Sequence, residues 1–423
     1  MTGSAAGAIA VALTRLTGTG PPVRLRAWDG SEAGPPGGPV LLIRHRRALR
    51  RILWRPDQLG VARAYIAGEL DVAGDLDDGL RRAIAWASGG AARRPRPGDL
   101  LRLVPEAARL GVLGPPPRPP VAEWRPSGIA HSRDRDRAVV AGHYDLSNDF
   151  YRLLLDPLMV YSCAYWPEGT DATLAGAQRA KLDLICAKLR LRPGMRLLDA
   201  GCGWGALITY AAQEYGVRAV GVTLSAAQAR HARERISALG LGDRVEVRHQ
   251  HYRDIAGGGY DAIASVEMGE HVGAEDYPAF ARSLHDLLRP GGRLLIQQMS
   301  RGRDAPDGGA FITAFIAADM HMRPVGDTLN LLAGAGLEVR AVQALREHYV
   351  RTVRAWRATL DERWDEAVAL VGARTARVWR LYLTGGALAF ERRRMGVDQI
   401  LAVRPDADAA APGDAGEAHG ETA

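Results

Sequence analysis

Two glutamates close an apolar run. In YDAIASVEMGEHVG, residues 260–273, Glu267 and Glu270 follow directly on the segment that ends at Val266. A carboxylate at the end of a buried strand is costly to desolvate unless it meets a cation or a hydrogen-bond donor. Two of them imply work with a positive charge or a proton. A second stretch with chemistry in it is LLDAGCGWG, Leu197 to Gly205, where Gly201, Gly203 and Gly205 follow a hydrophobic strand. Glycines there let the backbone turn sharply and approach a ligand beside the next helix N-terminus. The spacing is G-x-G-x-G, not the dinucleotide fingerprint G-x-G-x-x-G. The next run ends VGVTLS and carries Thr223 and Leu224, with Gln228 one turn into the following helix, where a dinucleotide fold would set a ribose-binding acid. Ser225 can cap that helix. The third run ends in Gln250, His251 and Tyr252. The Tyr252 ring could cover an adenine; a polar surface loop is the alternative reading.

These residues need a scaffold, and the pattern supplies one. MRLLDA, VRAVGV, RVEVRH, YDAIASV and GRLLIQQM read as strands, with helical stretches such as SAAQARHARERISALG and YPAFARSLHDLLR between them. Strand and helix in alternation specify an α/β class with a mostly parallel sheet and helices on both faces. LEVRAVQAL and QILAVRP read as edge strands around a helical insertion that contains REHYVRTVRAWRATLDERWDEAV. Before all this, GPPPRPPVAEWRPSG can neither continue a helix nor sit inside a sheet. The expected division is a smaller N-terminal α+β domain at 1–113, a linker at 114–128, a catalytic domain at 129–405 and an acidic, disordered tail at 406–423.

Composition narrows the class. A chain of 423 residues with 47% hydrophobic and 24% charged residues is ordinary globular material, which excludes a disordered or fibrous protein. Cys163, Cys186 and Cys202 are an odd, irregularly spaced set, so neither a disulfide framework nor a metal site is expected. No apolar run reaches the roughly 18 residues of a membrane helix. The N-terminus lacks the basic lead of a signal peptide, so a cytoplasmic protein is expected. Residues 1 to 130 hold 19 Arg against 11 Asp plus Glu, so the basic excess sits at the N-terminal end. With no nucleic-acid signature beside it, this charge favours an anionic lipid surface over DNA or RNA. RHRRALRRILWRP, Arg44 to Pro56, reads as a helix with Leu49, Ile52 and Leu53 on one face among arginines. It suits a bilayer surface or a docked helix of its own domain. Lys181 and Lys188 are the only lysines, which base composition alone would explain.

Aromatic residues gather upstream of the nucleotide fold, in HYDLSNDFY (143–151) and MVYSCAYW (159–166). Alone they would read as a packed cap as readily as a site. Together with AQRAKLDLICAKL, LLDAGCGWG, GVTLSAAQ, EHVG and LREHYVRTVRAW, in this order and spacing, they closely resemble cyclopropane-fatty-acyl-phospholipid synthases, from about Val140 to Arg404. GVARAYIAGELDVAGDL resembles the extra N-terminal domain of long bacterial members. The resemblance implies a class I S-adenosylmethionine methyltransferase fold, with one antiparallel strand in a seven-stranded sheet. It implies methyl transfer to a cis double bond in a phospholipid acyl chain. It assigns cofactor binding to Tyr161, Ser162, Gly201, Gly203, Thr223, Leu224, Gln228 and Tyr252, and places Tyr144 by the methyl transfer site. It also implies a bicarbonate-like base held by Cys, Glu, His and Tyr, of which Cys163, Glu270 and Tyr349 are present.

Two positions depart from that pattern. Glu267 stands where the family commonly has glycine, and Gln297, in LLIQQMS, stands where its histidine aligns. A glutamine is neither acid nor base near neutral pH, which argues against the usual bicarbonate site. An alkene attacking a sulfonium methyl leaves a carbocation that must be stabilised and deprotonated, by aromatic faces and fixed negative charge. The expectation is that loss of a proton from the transferred methyl closes a cyclopropane, and loss from the chain gives a methylene branch. Glu267, with Gln297, is expected to move the outcome to the methylene product, the cyclopropane being the alternative. The implied partners are a membrane surface bound peripherally and a reductase that saturates the product. A homo-oligomer is compatible with the chain. A small-molecule methyltransferase and a lipid-binding protein with a vestigial cofactor site are the competing classes.

Overall fold

The apolar runs after residue 195 form strands, as their pattern predicts. The structure, a computed structural model, describes residues 4–88, 98, 104–124, 127–144, 147–169, 172–303, 305 and 308–406, with backbone alone for 141–144. The tail expected at 406–423 lies outside the described residues except for Asp406. The chain packs as two compact units. One comprises Met1–Ala180, Ser300–Met322 and Leu345–Val397; the other comprises Lys181–Met299, Arg323–Ala344 and Asp398–Ala423.

The second unit is built on seven strands, β5 (Arg196–Ala200), β6 (Arg218–Thr223), β7 (Val245–His249), β8 (Tyr260–Val266), β9 (Leu288–Arg301), β10 (Glu338–Ala344) and β11 (Met395–Val403). Their order is β10-β11-β9-β8-β5-β6-β7. The β5–β6, β5–β8, β6–β7 and β8–β9 pairings are parallel, and β11 runs antiparallel to β10. Parallel neighbours require crossovers, and the helices Ala206–Tyr215, Ala226–Ala238 and Tyr277–Leu287 provide them. β10 lies at the edge as expected, but β11 lies between β10 and β9. Its run from Val397 to Ala402 is buried, which the apolar QILAV segment allows. The core joins β8 and β9 to the crossover helix through Leu198, Ile263, Phe280, Leu284, Leu294 and Ile400.

The first unit holds a four-stranded sheet of β1 (Arg24–Arg26), β2 (Glu32–Ala33), β3 (Val40–Ile43) and β4 (Leu70–Ala73), in the order β2-β1-β3-β4. Two helices of the insertion, Arg346–Glu362 and Trp364–Glu391, belong to this same unit. Arg377 ties them to the sheet by donating to the Tyr65 and Leu70 carbonyls at 2.6 and 2.9 Å. Arg81 pairs with Glu391. The proline-rich segment therefore does not divide the compact units. It lies inside the first one, where Arg63 forks onto Glu123 at 2.7 and 2.6 Å, and the Trp124 amide donates to the Ala314 carbonyl. Proline denies the segment regular structure, and the Arg63–Glu123 ion pair helps to hold it in place.

The basic helix forms over Arg47–Trp54 and uses its faces differently. Ala48 is buried, Arg50 donates to the Val112 carbonyl, and Arg51 pairs with Glu69. That side is docked on its own unit. Leu53 and Trp54 are 42% and 58% exposed, and the Trp54 indole N–H donates to the Gly114 carbonyl at 2.9 Å.

Candidate active site

The glycine turn is where β5 ends. Gly201 and Cys202 both donate their amides to the Val222 carbonyl, at 3.1 and 2.9 Å, which ties the turn to β6. Gly201 has φ 101°, and a Cβ there would lie 2.7 Å from Met268 Cγ, so only glycine fits. Gly203, at φ 53°, differs: a Cβ there would meet no atom within 4 Å. Its backbone borders open space, as a ligand cradle requires. Asp199, just before the turn, is buried and pushed up to about 7 by that burial, with Lys181 drawing it back down.

β6 delivers the next group. Thr223 Oγ1 donates to Gln228 Oε1 at 2.7 Å and accepts from the Ser225 amide at 3.2 Å. Ser225 caps the helix Ala226–Ala238 by accepting from the Gln228 amide, as its type and place predict. The Leu224 carbonyl is bonded to His249 Nε2 at 2.9 Å. At the end of β7 the Tyr252 ring lies 4.5 Å from His251 and stands edge-on to Phe280 at 5.2 Å. Gln250 Nε2 nearby is buried without a hydrogen-bond partner.

β8 and β9 position the acids. Glu267 has φ 50°, a left-handed conformation unfavourable for a residue with a Cβ and ordinary for glycine. Its amide donates to the Gln297 carbonyl at 2.7 Å, and Gln297 Nε2 donates to Glu267 Oε1 at 2.8 Å. Gln297 Oε1 in turn accepts from Gln399 Nε2 at 2.9 Å. Glu270 is fully buried; Oε1 accepts from the Met299 amide at 2.5 Å, while Oε2 has no hydrogen-bond partner. Burial, then the charge of Glu267, pushes Glu270 up to about 8, against the pull of the Met299 amide and Arg323. A buried carboxyl whose proton affinity is raised can serve as an acid.

The aromatic positions lie in the first unit. Tyr161 packs against Trp356, Tyr151 and Trp379 at 5.3, 5.7 and 5.8 Å, and its hydroxyl reaches that of Tyr382 at 3.3 Å. The Ser162 carbonyl accepts from Gln178 Nε2 at 2.9 Å. The buried Cys163 thiol points at the Ala164 and Leu345 carbonyls. The Tyr349 amide donates to that same Leu345 carbonyl, and its ring stacks on Phe390 at 4.5 Å. Tyr144 ends the helix Arg133–Tyr144, and its side chain lies outside the described residues. Thus Tyr161, Ser162, Cys163 and Tyr349 share one unit, and Gly201, Gly203, Thr223, Leu224, Gln228, Tyr252, Glu267, Glu270 and Gln297 share the other.

Sequence reasoning missed Arg323, Lys188 and Gln399. Arg323 is buried, donates to the Gly269 and Val272 carbonyls and lies 3.9 Å from the Tyr277 ring centre. Lys188 and Lys181 had a readable signal: two lysines among 55 basic residues, in a chain that otherwise uses arginine. Lys181 is buried, and Lys188 donates to two glutamines.

Residues 131–400 match the family described as mycolic acid cyclopropane synthetase. The chain belongs to this family. A Mycobacterium tuberculosis relative named a probable fatty acid methyltransferase is 38% identical over 406 residues, covering 92% of this chain and 93% of its own. A tuberculostearic acid methyltransferase of the same organism is 32% identical over 425 residues, covering 95% and 92%. Among solved structures, a mycolic acid cyclopropane synthase complexed with SAH and CTAB is 35% identical, with TM-score 0.60, over 63% of this chain and 98% of that one. This cyclopropane synthase family member is an S-adenosylmethionine-dependent methyltransferase of the class I fold. The open space at Gly203 and the unpartnered Gln250 Nε2 fit a bound cofactor.

Bicarbonate fits less well. Gln297 commits both ends of its amide to Gln399 and Glu267, and an anion near Glu267 would meet like charge. Among the described residues, no group of histidine, cysteine and carboxylates could hold a metal, and no helix is long and apolar enough to cross a membrane.

Proposed function

We propose that the chain methylates the cis double bond of an unsaturated acyl chain in a membrane phospholipid through a carbocation, and that Glu267 accepts the proton whose loss leaves a methylene branch. Bound S-adenosylmethionine supplies a methyl group made electrophilic by its sulfonium. The second unit's Gly201, Gly203, Thr223, Leu224, Gln228 and Tyr252 are assigned to the cofactor; Tyr161 and Ser162 keep the cofactor-binding role that the family pattern implies. Tyr144, Cys163 and Tyr349 keep the catalytic places that the family pattern implies. The ring faces of Tyr151, Tyr161, Trp356 and Trp379 have the chemistry to stabilise a cation.

The π pair of the alkene forms the new C–C bond as the methyl–sulfur bond breaks, leaving positive charge on the neighbouring chain carbon. Counting hydrogens corrects the expected proton source. An exocyclic methylene carbon carries two hydrogens, as a cyclopropane methylene does, so both products lose a proton from the transferred methyl. They differ in a hydride shift. Immediate deprotonation closes the ring; migration of the hydrogen on the methylated carbon to its neighbour gives a more substituted cation, and deprotonation then leaves the double bond. A base set back from the first cation favours the second course.

The observation that carries this reading is the Glu267 carboxylate, held by Gln297 at a backbone position that suits glycine. The family as a whole sets methyl transfer rather than product. The cyclopropane reading is favoured by the unpartnered Glu270 Oε2, a position common to the family pattern. To decide, purified protein is incubated with oleoyl phospholipid vesicles and S-adenosylmethionine, and the released acyl chains are cleaved by ozone and analysed by mass spectrometry. A full-length chain with a ketone in place of the methylene, the methylene carbon leaving as formaldehyde, identifies the branch. An ozone-resistant chain one carbon heavier would establish the cyclopropane and remove Glu267 from the proposed role.

A bilayer is the proposed partner surface. Leu53, Trp54 and Leu113 are exposed, with Arg44, Arg46 and Arg47 exposed on and before the same helix. Apolar wedges beside arginines suit peripheral binding to anionic lipid. The methylene product is an alkene, so a reductase supplying hydride and a proton is the proposed next catalyst.

A further inference from the structure

A row of polar side chains crosses the sheet of the second unit where apolar residues would be the ordinary choice. Gln343 on β10 and Gln399 on β11 are register partners, and Gln297 on β9 is the register partner of Val266 on β8. Gln297 and Gln399 are 0% and 1% exposed. At one end Lys188 Nζ, in the last turn of the helix Leu174–Leu189, donates to Gln343 Oε1 at 2.5 Å and Gln399 Oε1 at 2.7 Å. Gln399 Nε2 donates to Gln297 Oε1 at 2.9 Å, and Gln297 Nε2 donates to Glu267 Oε1 at 2.8 Å.

The direction of this chain is forced by its ends. An ammonium only donates and a carboxylate only accepts. Each amide between them has one orientation that satisfies both neighbours; turning either sets oxygen against oxygen in a buried site. Burial draws Lys188 down to about 8, which leaves it an ammonium at neutral pH.

We propose that Lys188 and Gln399 are positioning residues, which act through Gln297 to hold the Glu267 carboxylate in a set place and thereby set the product. The inference rests on the proton-accepting role of Glu267. Packing alone does not call for it, because apolar side chains would fill a sheet interior without needing partners.

Gln399→Glu tests the relay in the full chain, since it keeps the shape and the Lys188 contact but removes the donor to Gln297. Gln297 Oε1 then faces a carboxylate oxygen, and turning the amide to relieve that clash sets its oxygen against Glu267. The expected result is a fall in kcat of about tenfold or more, with KM for S-adenosylmethionine within about twofold and more cyclopropane relative to methylene product. Lys188→Met should act in the same direction and Lys188→Arg, which still donates, should restore the ratio. An unchanged ratio and kcat in folded Gln399→Glu overturns the proposal. If that variant does not fold, an unchanged ratio in Lys188→Met does so. Glu267→Gln is run beside them. Its failure to alter rate or product sinks the base assignment itself, whereas an effect there with none in the relay variants sinks only the relay.

Discussion

Replacing Glu270 by glutamine tests whether this carboxyl is held as a neutral acid. In the folded chain its proton affinity is raised from 4.5 to about 8, first by burial and then by the Glu267 charge. The folded state therefore binds the proton more tightly than the unfolded state between those values. This contribution to stability is fully present below pH 4.5 and is lost as pH rises towards 8. At about 1.4 kcal/mol per pH unit, the loss between pH 5 and pH 8 comes to about 3 to 4 kcal/mol. Glutamine keeps the shape and an oxygen for the Met299 amide, and it cannot ionise. Urea unfolding of both proteins without cofactor, across this pH range, leaves in the difference Glu270 and its coupling to the Glu267 charge. The variant should gain on the wild type by that amount from pH 5 to pH 8. Parallel curves, with a difference constant to within about 1 kcal/mol, would mean that Glu270 ionises as an exposed carboxyl does and would refute the burial argument.

Other expectations follow from single positions. Gly201→Ala adds a Cβ 2.7 Å from Met268 Cγ at φ 101°; a destabilisation of about 2 kcal/mol or more and S-adenosylmethionine binding weakened at least about tenfold are expected by urea unfolding and calorimetry. At Glu267, the φ of 50° reverses the usual ranking: Glu267→Gly should unfold at higher urea than Glu267→Ala, by about 1 kcal/mol, and the opposite order would deny the left-handed backbone. Trp54→Ala with Leu53→Asp should weaken cosedimentation with anionic vesicles about tenfold; unchanged binding would place the lipid surface elsewhere.

Much of the second unit was legible because its strands are short apolar runs separated by helical periodicity, each ending in polar residues or glycine. The site positions at the ends of β5, β6 and β7 could be named for the same reason: turn, cap and strand end are local features, specified by neighbours a few residues away. Gly201 and Ser225 are of this kind. The place of β11 was not legible. Its segment is as apolar as an edge strand can be, and only the strand order shows it between β10 and β9. Likewise, the proline-rich segment reads as a boundary from its own residues, while the Arg63–Glu123 fork that fastens it joins positions 60 apart.

The sequence by itself determined the strand and helix pattern, the glycine turn, the family pattern and the two positions, Glu267 and Gln297, that depart from it. Tertiary structure alone decided what those positions do to one another. Gln399 lies 102 residues from Gln297, and β11 brings it alongside by entering the sheet out of chain order. Burial of Glu270 beside the Glu267 charge likewise exists only once β8 and β9 are paired. Proton affinity and amide direction depend on solvent exclusion and on the nearest charge, and both are properties of assembled neighbours.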